Sequence, residues 1–177
     1  MKLSETHLTR KDKEKYLKQH ARAVWLTGYP ASGKTTIANG LERMLASEGY
    51  FTRVLDGDVI RQGINSDLSY SVADRYENIR RIAEINALFI QSGIITINAF
   101  ISPTREIRNL ARKIIENENF IEVFVDASLE ICMKRDPKGL FKRAIAGEIR
   151  DFTGVDAPYE PPLHPDLLID TEHTTEA

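Results

Sequence analysis

The segment Gly28-Tyr29-Pro30-Ala31-Ser32-Gly33-Lys34-Thr35 constrains this chain more than any other part of it. It has the form G-x-x-x-x-G-K-[ST]. Before it, Ala23-Val24-Trp25-Leu26-Thr27 is a short apolar run suited to a strand buried on both faces. After it, Ile37, Leu41, Met44 and Leu45 recur at helical spacing until Gly49. Glycines in a strand–loop–helix of this kind let the backbone wrap closely round phosphate oxygens with successive N–H groups turned inward. The helix that begins near Lys34 adds its positive N-terminal end. Lys34 is placed to reach β- and γ-phosphates, and the Thr35 hydroxyl to ligate magnesium. A chance match in a turn would lack this flanking pattern. The expectation is a nucleoside triphosphate held by residues 28–35 and Thr36.

The rest of the chain repeats the alternation. Residues 52–56, TRVLD, read as a second strand. Residues 74–91 give the longest helical signal, with Asp74 and Glu77 at capping-box spacing and Ile79, Ile82, Ala83, Phe89 and Ile90 along one stripe. IITINAF, residues 94–100, reads as a third strand, after which Ser102 stands at an N-cap position with Pro103 as first helical residue. IEVFV (121–125) and LLID (167–170) read as the fourth and fifth strands, with Ser128 capping a helix that holds Leu129, Cys132 and Met133. Strands alternating with helices predict an α/β P-loop NTPase fold of three layers, with a mainly parallel sheet of about five strands. Residues 1–20 read as a polar arm with one helix, anchored by Leu3, Leu8, Tyr16 and Leu17. Residues 21–177 then form a single domain.

Composition removes several function classes. At 177 residues the chain is one ordinary domain. A net charge of -2 lacks the broad basic field of a general nucleic-acid binder. No apolar run reaches the ~18 residues needed to span a bilayer. The N-terminus lacks the apolar core of a secretory signal, so the expected location is the cytoplasm. Cys132, the single cysteine, cannot form an internal disulfide and reads as a core residue, as does Trp25. His7, His20, His164 and His173 have no metal-ligand spacing. Pro158, Pro161, Pro162 and Pro165 read as a stiff connecting segment before the last strand.

Which P-loop class is present turns on the acids. No Asn/Thr-Lys-x-Asp segment exists to read guanine, and Asp136-Pro137-Lys138-Gly139 follows a helix rather than a strand. The third strand carries no terminal carboxylate, whereas Asp56-Gly57-Asp58 directly follows the second. Strand ends in such a sheet face the ligand crevice, so both carboxylates are placed to approach a transferred phosphate. A simple acidic turn would account for the pair equally locally, but the layout suits a small-molecule kinase.

Several segments together resemble the adenylylsulfate kinase (APS kinase) family of sulfate activation, in order and over nearly the whole chain. They are HLTR at 7–10, VWLTG at 24–28, LDGDVIRQGIN at 55–65, DRYENIRRIAE at 74–84 and AFISP at 99–103. Later come EVFVDASLEIC at 122–132, RDPKGLFKRAIAGEI at 135–149 and DFTGVDAPYEPP at 151–162. The resemblance implies transfer of the ATP γ-phosphoryl group to the ribose 3′-hydroxyl of adenosine 5′-phosphosulfate, giving PAPS and ADP, with Mg2+. It implies that Asp56 helps hold magnesium and that Asp58 orients the acceptor hydroxyl or takes its proton; sequence leaves open which acid does which. Asp58, Arg61, Arg75, Asn78, Ile101, Ser102 and Lys138 correspond to positions that line the substrate site. Tyr70 stands where the family has a phenylalanine that stacks on the substrate adenine, and Phe152 corresponds to the aromatic on its other side. Arg135 corresponds to a position over the ATP base. The counterpart of Ser102 has been considered a phosphorylated intermediate, but direct transfer needs no enzyme nucleophile, so capping plus substrate contact is the favoured reading. Residues 133–150 hold six Lys or Arg against Asp136 and Glu148 and resemble the start of the family's mobile basic lid, about 134–160, with Gly139 and Gly147 as hinges. The alternative to a lid is a basic helix lying on solvent. A homodimer and a functional link to ATP sulfurylase are further implications.

Two departures from the family pattern stand out. Pro30-Ala31 replaces its more usual serine-glycine or serine-alanine, removing one N–H donor from the outer loop. Val59 replaces an asparagine. The competing readings are another small-molecule P-loop kinase with a different acceptor, and a non-catalytic nucleotide-binding partner module. Lys34, Thr35, Asp56 and Asp58 together argue against the second.

Overall fold

Five short runs align side by side in a computed structural model that describes residues 7–174. The first residues of the polar arm, Leu3 among them, lie outside the described residues. The strands are β1 (Ala23–Thr27), β2 (Thr52–Asp56), β3 (Ile95–Ala99), β4 (Phe120–Asp126) and β5 (Leu167–Asp170). They form one sheet in the order β2-β3-β1-β4-β5, with every pair parallel. Parallel pairing requires crossovers, and these are supplied by α2 (Lys34–Ser47), α4 (Val72–Gln91), α5 (Arg105–Ile115) and α6 (Leu129–Arg135). Among the described residues there are also three short α-helices, α1 (Arg10–Leu17) in the arm, α3 (Gly57–Gln62) after β2, and α7 (Leu140–Ile145) after α6, and one 3-10 turn at Asn117–Asn119.

Each face of the sheet buries its own core, as near-continuous apolar strands demand. On one face α4 and α5 lay Ile79, Ile82, Ile90, Ile107 and Ile115 against Ala23, Trp25 and Phe120. Trp25 is fully buried, its ring 5.5 Å from those of both Phe100 and Phe120. On the other face α2 sets Ile37, Ala38, Leu41 and Leu45 against Leu26, Ile97, Val123 and Val125, while Met44 turns to solvent. A third cluster, Ala127, Cys132, Phe141, Ala144 and Phe152, lies beneath Tyr29 and Ala31. Cys132 is fully buried there, and burial pushes its thiol pKa up, so it packs rather than reacts.

Two helix starts differ from the sequence expectation. The helix expected over 74–91 begins at Val72, capped by Ser71, whose hydroxyl accepts from the Asp74 N–H at 3.2 Å. Asp74 accepts in turn from the Ser71 hydroxyl at 3.0 Å, but the Ser71 N–H goes to the Ser69 hydroxyl at 3.2 Å, so the cap lies three residues earlier and is not a reciprocal capping box. Glu77 instead lies on the helix side, accepting from Arg80 and Arg81. Likewise Ser102 does not cap α5. Thr104 does, accepting from the Ile107 N–H, and Pro103 precedes the cap. The Ser102 hydroxyl is already taken: it accepts from the Trp25 indole N–H at 3.1 Å. Ser102 itself sits at φ 40, in the left-handed region.

Candidate active site

The phosphate loop leaves β1 through Gly28, which passes so close to β4 that a Cβ there would stand 2.4 Å from the Val125 carbonyl oxygen. It enters α2 through Gly33, whose φ of 101 suits glycine and which occupies the N-cap position without a side chain. Between them Ala31, directly after Pro30, adopts φ 61 in the outer turn of the loop. Lys34 folds back over the loop: its ammonium donates to the carbonyls of Gly28 at 3.0 Å and Tyr29 at 2.6 Å. It is 8% exposed, and burial lowers its pKa to about 8, opposed by the nearby charges of Asp56 and Asp58.

At the end of β2, Asp56 caps α3 by accepting from the Asp58 N–H at 2.9 Å. Its other oxygen accepts from the Thr35 hydroxyl at 2.7 Å, tying the strand end to the phosphate loop. Asp58, two residues on, forms an ion pair with Lys138, whose pKa is raised by that hydrogen bond. This contact joins residues 80 apart in sequence.

A second group gathers round the start of α4. Arg61 donates to the carbonyls of Leu68 and Ser69 at 3.1 and 2.9 Å and lies 4.4 Å from the Tyr70 ring centre. Arg75 stands 5.8 Å from the same ring and donates to the Tyr70 carbonyl. Its other nitrogens reach the Thr153 hydroxyl at 3.1 Å and the Asp151 carbonyl. Asn78, one turn further along α4, is buried with its Oδ1 accepting from Asn65.

These groups share one cavity of about 710 Å3. Its wall includes Pro30, Ala31, Gly33, Lys34, Thr35, Thr36, Asp56, Asp58, Arg61, Tyr70, Arg75, Asn78, Ile101, Ser102, Arg135 and Lys138. Gly28, Tyr29 and Ser32 are not on the wall; Tyr29 packs its ring on Tyr159 at 4.8 Å. Phe152 is also away from the wall, 9% exposed and edge-on to Phe141 at 5.1 Å.

Three contributors carry no local signal in the sequence. The Thr171 hydroxyl lies 2.8 Å from the Ser32 carbonyl and accepts from Arg135 at 3.1 Å, holding phosphate loop and α6 together. Arg108, 2% exposed, donates to the Ser102 carbonyl at 2.7 Å and so fixes the loop after β3. Asn65 is fully buried against Asn78. Among the described residues no group of three or more His, Cys, Asp or Glu is arranged to hold a metal, and no helix is long and apolar enough to cross a membrane. The carboxylates on the cavity wall are Asp56, Asp58 and Asp136, and the first of them lies against the Thr35 hydroxyl. Such a sparse set of hard oxygen donors suits magnesium, which takes most of its remaining ligands from phosphates and water.

Comparison with known proteins identifies the family. Residues 20–170 match the family model described as adenylylsulphate kinase. An adenylyl-sulfate kinase of Bacteroides thetaiotaomicron is 56% identical over 164 residues, covering 93% of this chain and 82% of its own length. One from Clostridium acetobutylicum is 50% identical over 172 residues, covering 97% and 86%. Among solved structures, the Mycobacterium tuberculosis APS kinase CysC in complex with AMPPNP and APS superposes with a TM-score of 0.84 at 44% identity, covering 88% of this chain and 91% of that one. With likeness of this degree running through both lengths, the chain belongs to the adenylylsulphate kinase family.

Proposed function

We propose that this cavity is where the chain transfers the γ-phosphoryl group of ATP to the ribose 3′-hydroxyl of adenosine 5′-phosphosulfate, the reaction of its family. The chain is an ATP-dependent phosphotransferase with an alcohol acceptor. The observation that carries the site reading is the sharing of one cavity by a phosphate loop, an acid pair and a cluster of two arginines and an asparagine: Arg61, Arg75 and Asn78. Phosphoryl transfer passes through a loose transition state, so the protein's work is positioning and charge stabilisation.

In this reading residues 28–36 hold the ATP phosphates, mostly through backbone N–H groups, and Arg135 lies at the ATP end beside Thr171. Lys34 exchanges two neutral carbonyl partners for charged phosphate oxygens, which are the stronger acceptors. Thr35 and Asp56 would hold magnesium, which when bound screens the phosphate charge; the hydrogen bond between these two residues supports that pairing. Asp58, on the Lys138 side, then orients the acceptor hydroxyl and takes its proton. Arg61 and Arg75 meet the anionic groups of the acceptor, and Tyr70 offers its exposed ring to the adenine. Phe152 reaches that adenine only if its segment moves. That fits a basic lid over 134–160 hinged at Gly139 and Gly147, which have φ of 64 and 77. Ile101 and Ser102 contact the acceptor from the strand end. Among the described residues no side-chain base bonds the Ser102 hydroxyl, which favours contact over a nucleophilic role. Residues 1–20 would form an arm and 21–177 the kinase domain. A cytoplasmic homodimer that works alongside ATP sulfurylase completes the proposal.

A direct assay tests the whole reading: ATP, magnesium and adenosine 5′-phosphosulfate must yield the 3′-phosphorylated product, and absence of that product overturns it. Arg75→Ala is expected to raise KM for adenosine 5′-phosphosulfate ~10-fold or more through loss of charged hydrogen bonds, with ATP affinity changed less than about twofold. Equal loss for both ligands would show that Arg75 serves the fold alone.

Lys34 gives a pH dependence whose sign is fixed. Free, it loses its proton above about 8; beside phosphates its pKa rises. ATP binding therefore takes up a proton in the alkaline range, and affinity falls as pH climbs past that point. Calorimetry in buffers of different ionisation enthalpy should show uptake growing between about pH 7.5 and 9, and none in Lys34→Met. Equal uptake in that variant would assign the proton to another group.

A further inference from the structure

Asn65 follows α3 in a tight turn, its N–H donating to the Ile60 carbonyl at 3.1 Å, and its side chain is wholly enclosed. The amide nitrogen donates to Asn78 Oδ1 at 3.0 Å, with the Asn78 backbone carbonyl at 3.5 Å. Two oxygens on that side identify it as the amine side of Asn65. The Asn65 carbonyl oxygen pays for this arrangement: among the described residues it is the one buried side-chain N or O atom without a hydrogen-bond partner. A fold that leaves a buried amide oxygen unpaired is holding the nitrogen end for a reason.

The reason lies one residue away. Asn78 is on the cavity wall with Arg61 and Arg75, both cations. With its Oδ1 committed to Asn65, the Asn78 Nδ2 is the end left for the cavity. An amide has two faces of opposite sign. Turned one way it donates to an anion, and turned the other way it repels it. We propose that Asn65 is a positioning residue for the acceptor site: it locks the Asn78 amide so that a donor, and not an oxygen, meets the anionic part of the acceptor. The proposal deepens the reading of Asn78 as an acceptor-binding residue and rests on it.

The test crosses Asn65 and Asn78 substitutions and measures KM for each substrate separately. Asn65→Leu should raise KM for adenosine 5′-phosphosulfate ~10-fold, with kcat changed less than about threefold and KM for ATP less than about twofold. In an Asn78→Ala background the same substitution should change that KM less than about twofold, because the amide it orients is gone. Asn65→Asp, nearly isosteric, gives a second readout where Asn65→Leu fails to fold. When ionised it accepts from Asn78 and turns its oxygen outward; when protonated it donates and restores the wild-type orientation. KM for adenosine 5′-phosphosulfate in Asn65→Asp should therefore climb with pH while wild type stays flat over the same range. Equal losses for both substrates, additive effects in the Asn78→Ala background, or a flat Asn65→Asp profile would each overturn the proposal. If Asn78→Ala by itself leaves that KM unchanged, it is the acceptor reading of Asn78 that fails, and the positioning role fails with it.

Discussion

Replacing Asp58 by asparagine is expected to lower kcat about 10²- to 10⁴-fold, the usual range for losing a positioned acid or base. Asparagine keeps the size and a hydrogen-bonding oxygen of Asp58 but cannot accept the acceptor hydroxyl's proton or neutralise Lys138. ATP affinity should change little, since the phosphate loop and Lys34 hold the triphosphate. The matching change at Asp56 should behave differently. Asp56 accepts from the Thr35 hydroxyl and caps α3, so Asp56→Asn should raise the magnesium concentration needed for half-maximal rate, with part of the lost rate recovered at high magnesium. Steady-state kinetics over a magnesium series read both variants at once. Should magnesium rescue Asp58→Asn and leave Asp56→Asn slow, the two roles are exchanged.

The pair illustrates what a linear sequence carries. The position of DGD after an apolar strand announced two carboxylates at a strand end, because strand direction and crevice follow from local pattern. β1, β2 and β5 have the expected boundaries for the same reason, and β3 and β4 differ by a residue at each end. Which carboxylate faces Thr35 and which faces Lys138 depends on how α2 and the turn between α6 and α7 are set around the start of α3, and no local pattern encodes that. Helix caps failed differently. Ser71 stands three residues before Asp74 just as Asp74 stands three before Glu77, so pattern alone could not choose between caps three residues apart. At Ser102 the serine–proline pair looked like a cap, but burial beside Trp25 diverted its hydroxyl, and Thr104 took the role. Asn65 and Thr171 were illegible because their partners lie 13 and 139 residues away, and Arg108 because it ties together Ser102, Glu122 and Glu160, which are 6, 14 and 52 residues from it.

Of these, Arg108 should have the largest effect on stability. Its guanidinium is 2% exposed and spends every arm: on Glu122 Oε1 at 2.9 Å, the Ser102 carbonyl at 2.7 Å and the Glu160 carbonyl at 2.6 Å. It also lies 5.7 Å from the Tyr159 ring centre. Arg108→Met keeps much of the volume but leaves one buried and one half-buried carbonyl short of a donor and Glu122 with only Arg112 at 3.2 Å. Breaking a buried pair from one side costs ~3–5 kcal/mol. For a domain of this size that corresponds to a fall in Tm of about 6–20 °C. Arg108→Lys, which keeps the charge but not the fork, should fall between. The site should register the loss well below Tm, because the clasp on the Ser102 carbonyl is what holds that residue at φ 40 on the cavity wall. KM for adenosine 5′-phosphosulfate is therefore expected to rise at temperatures where circular dichroism still reports a native fold. A melting shift below about 2 °C would mean that Glu122 finds water or Arg112 sufficient. A large shift with unchanged KM would mean that the Ser102 loop is held by Thr27, whose hydroxyl donates to the Ile101 carbonyl at 2.7 Å, and not by Arg108. The distinction matters for the proposed lid. Arg108 grips the acceptor loop and the Glu160 end of that segment through neighbouring nitrogens, so a lid that closes over the acceptor would have to pivot on a point this one side chain keeps fixed.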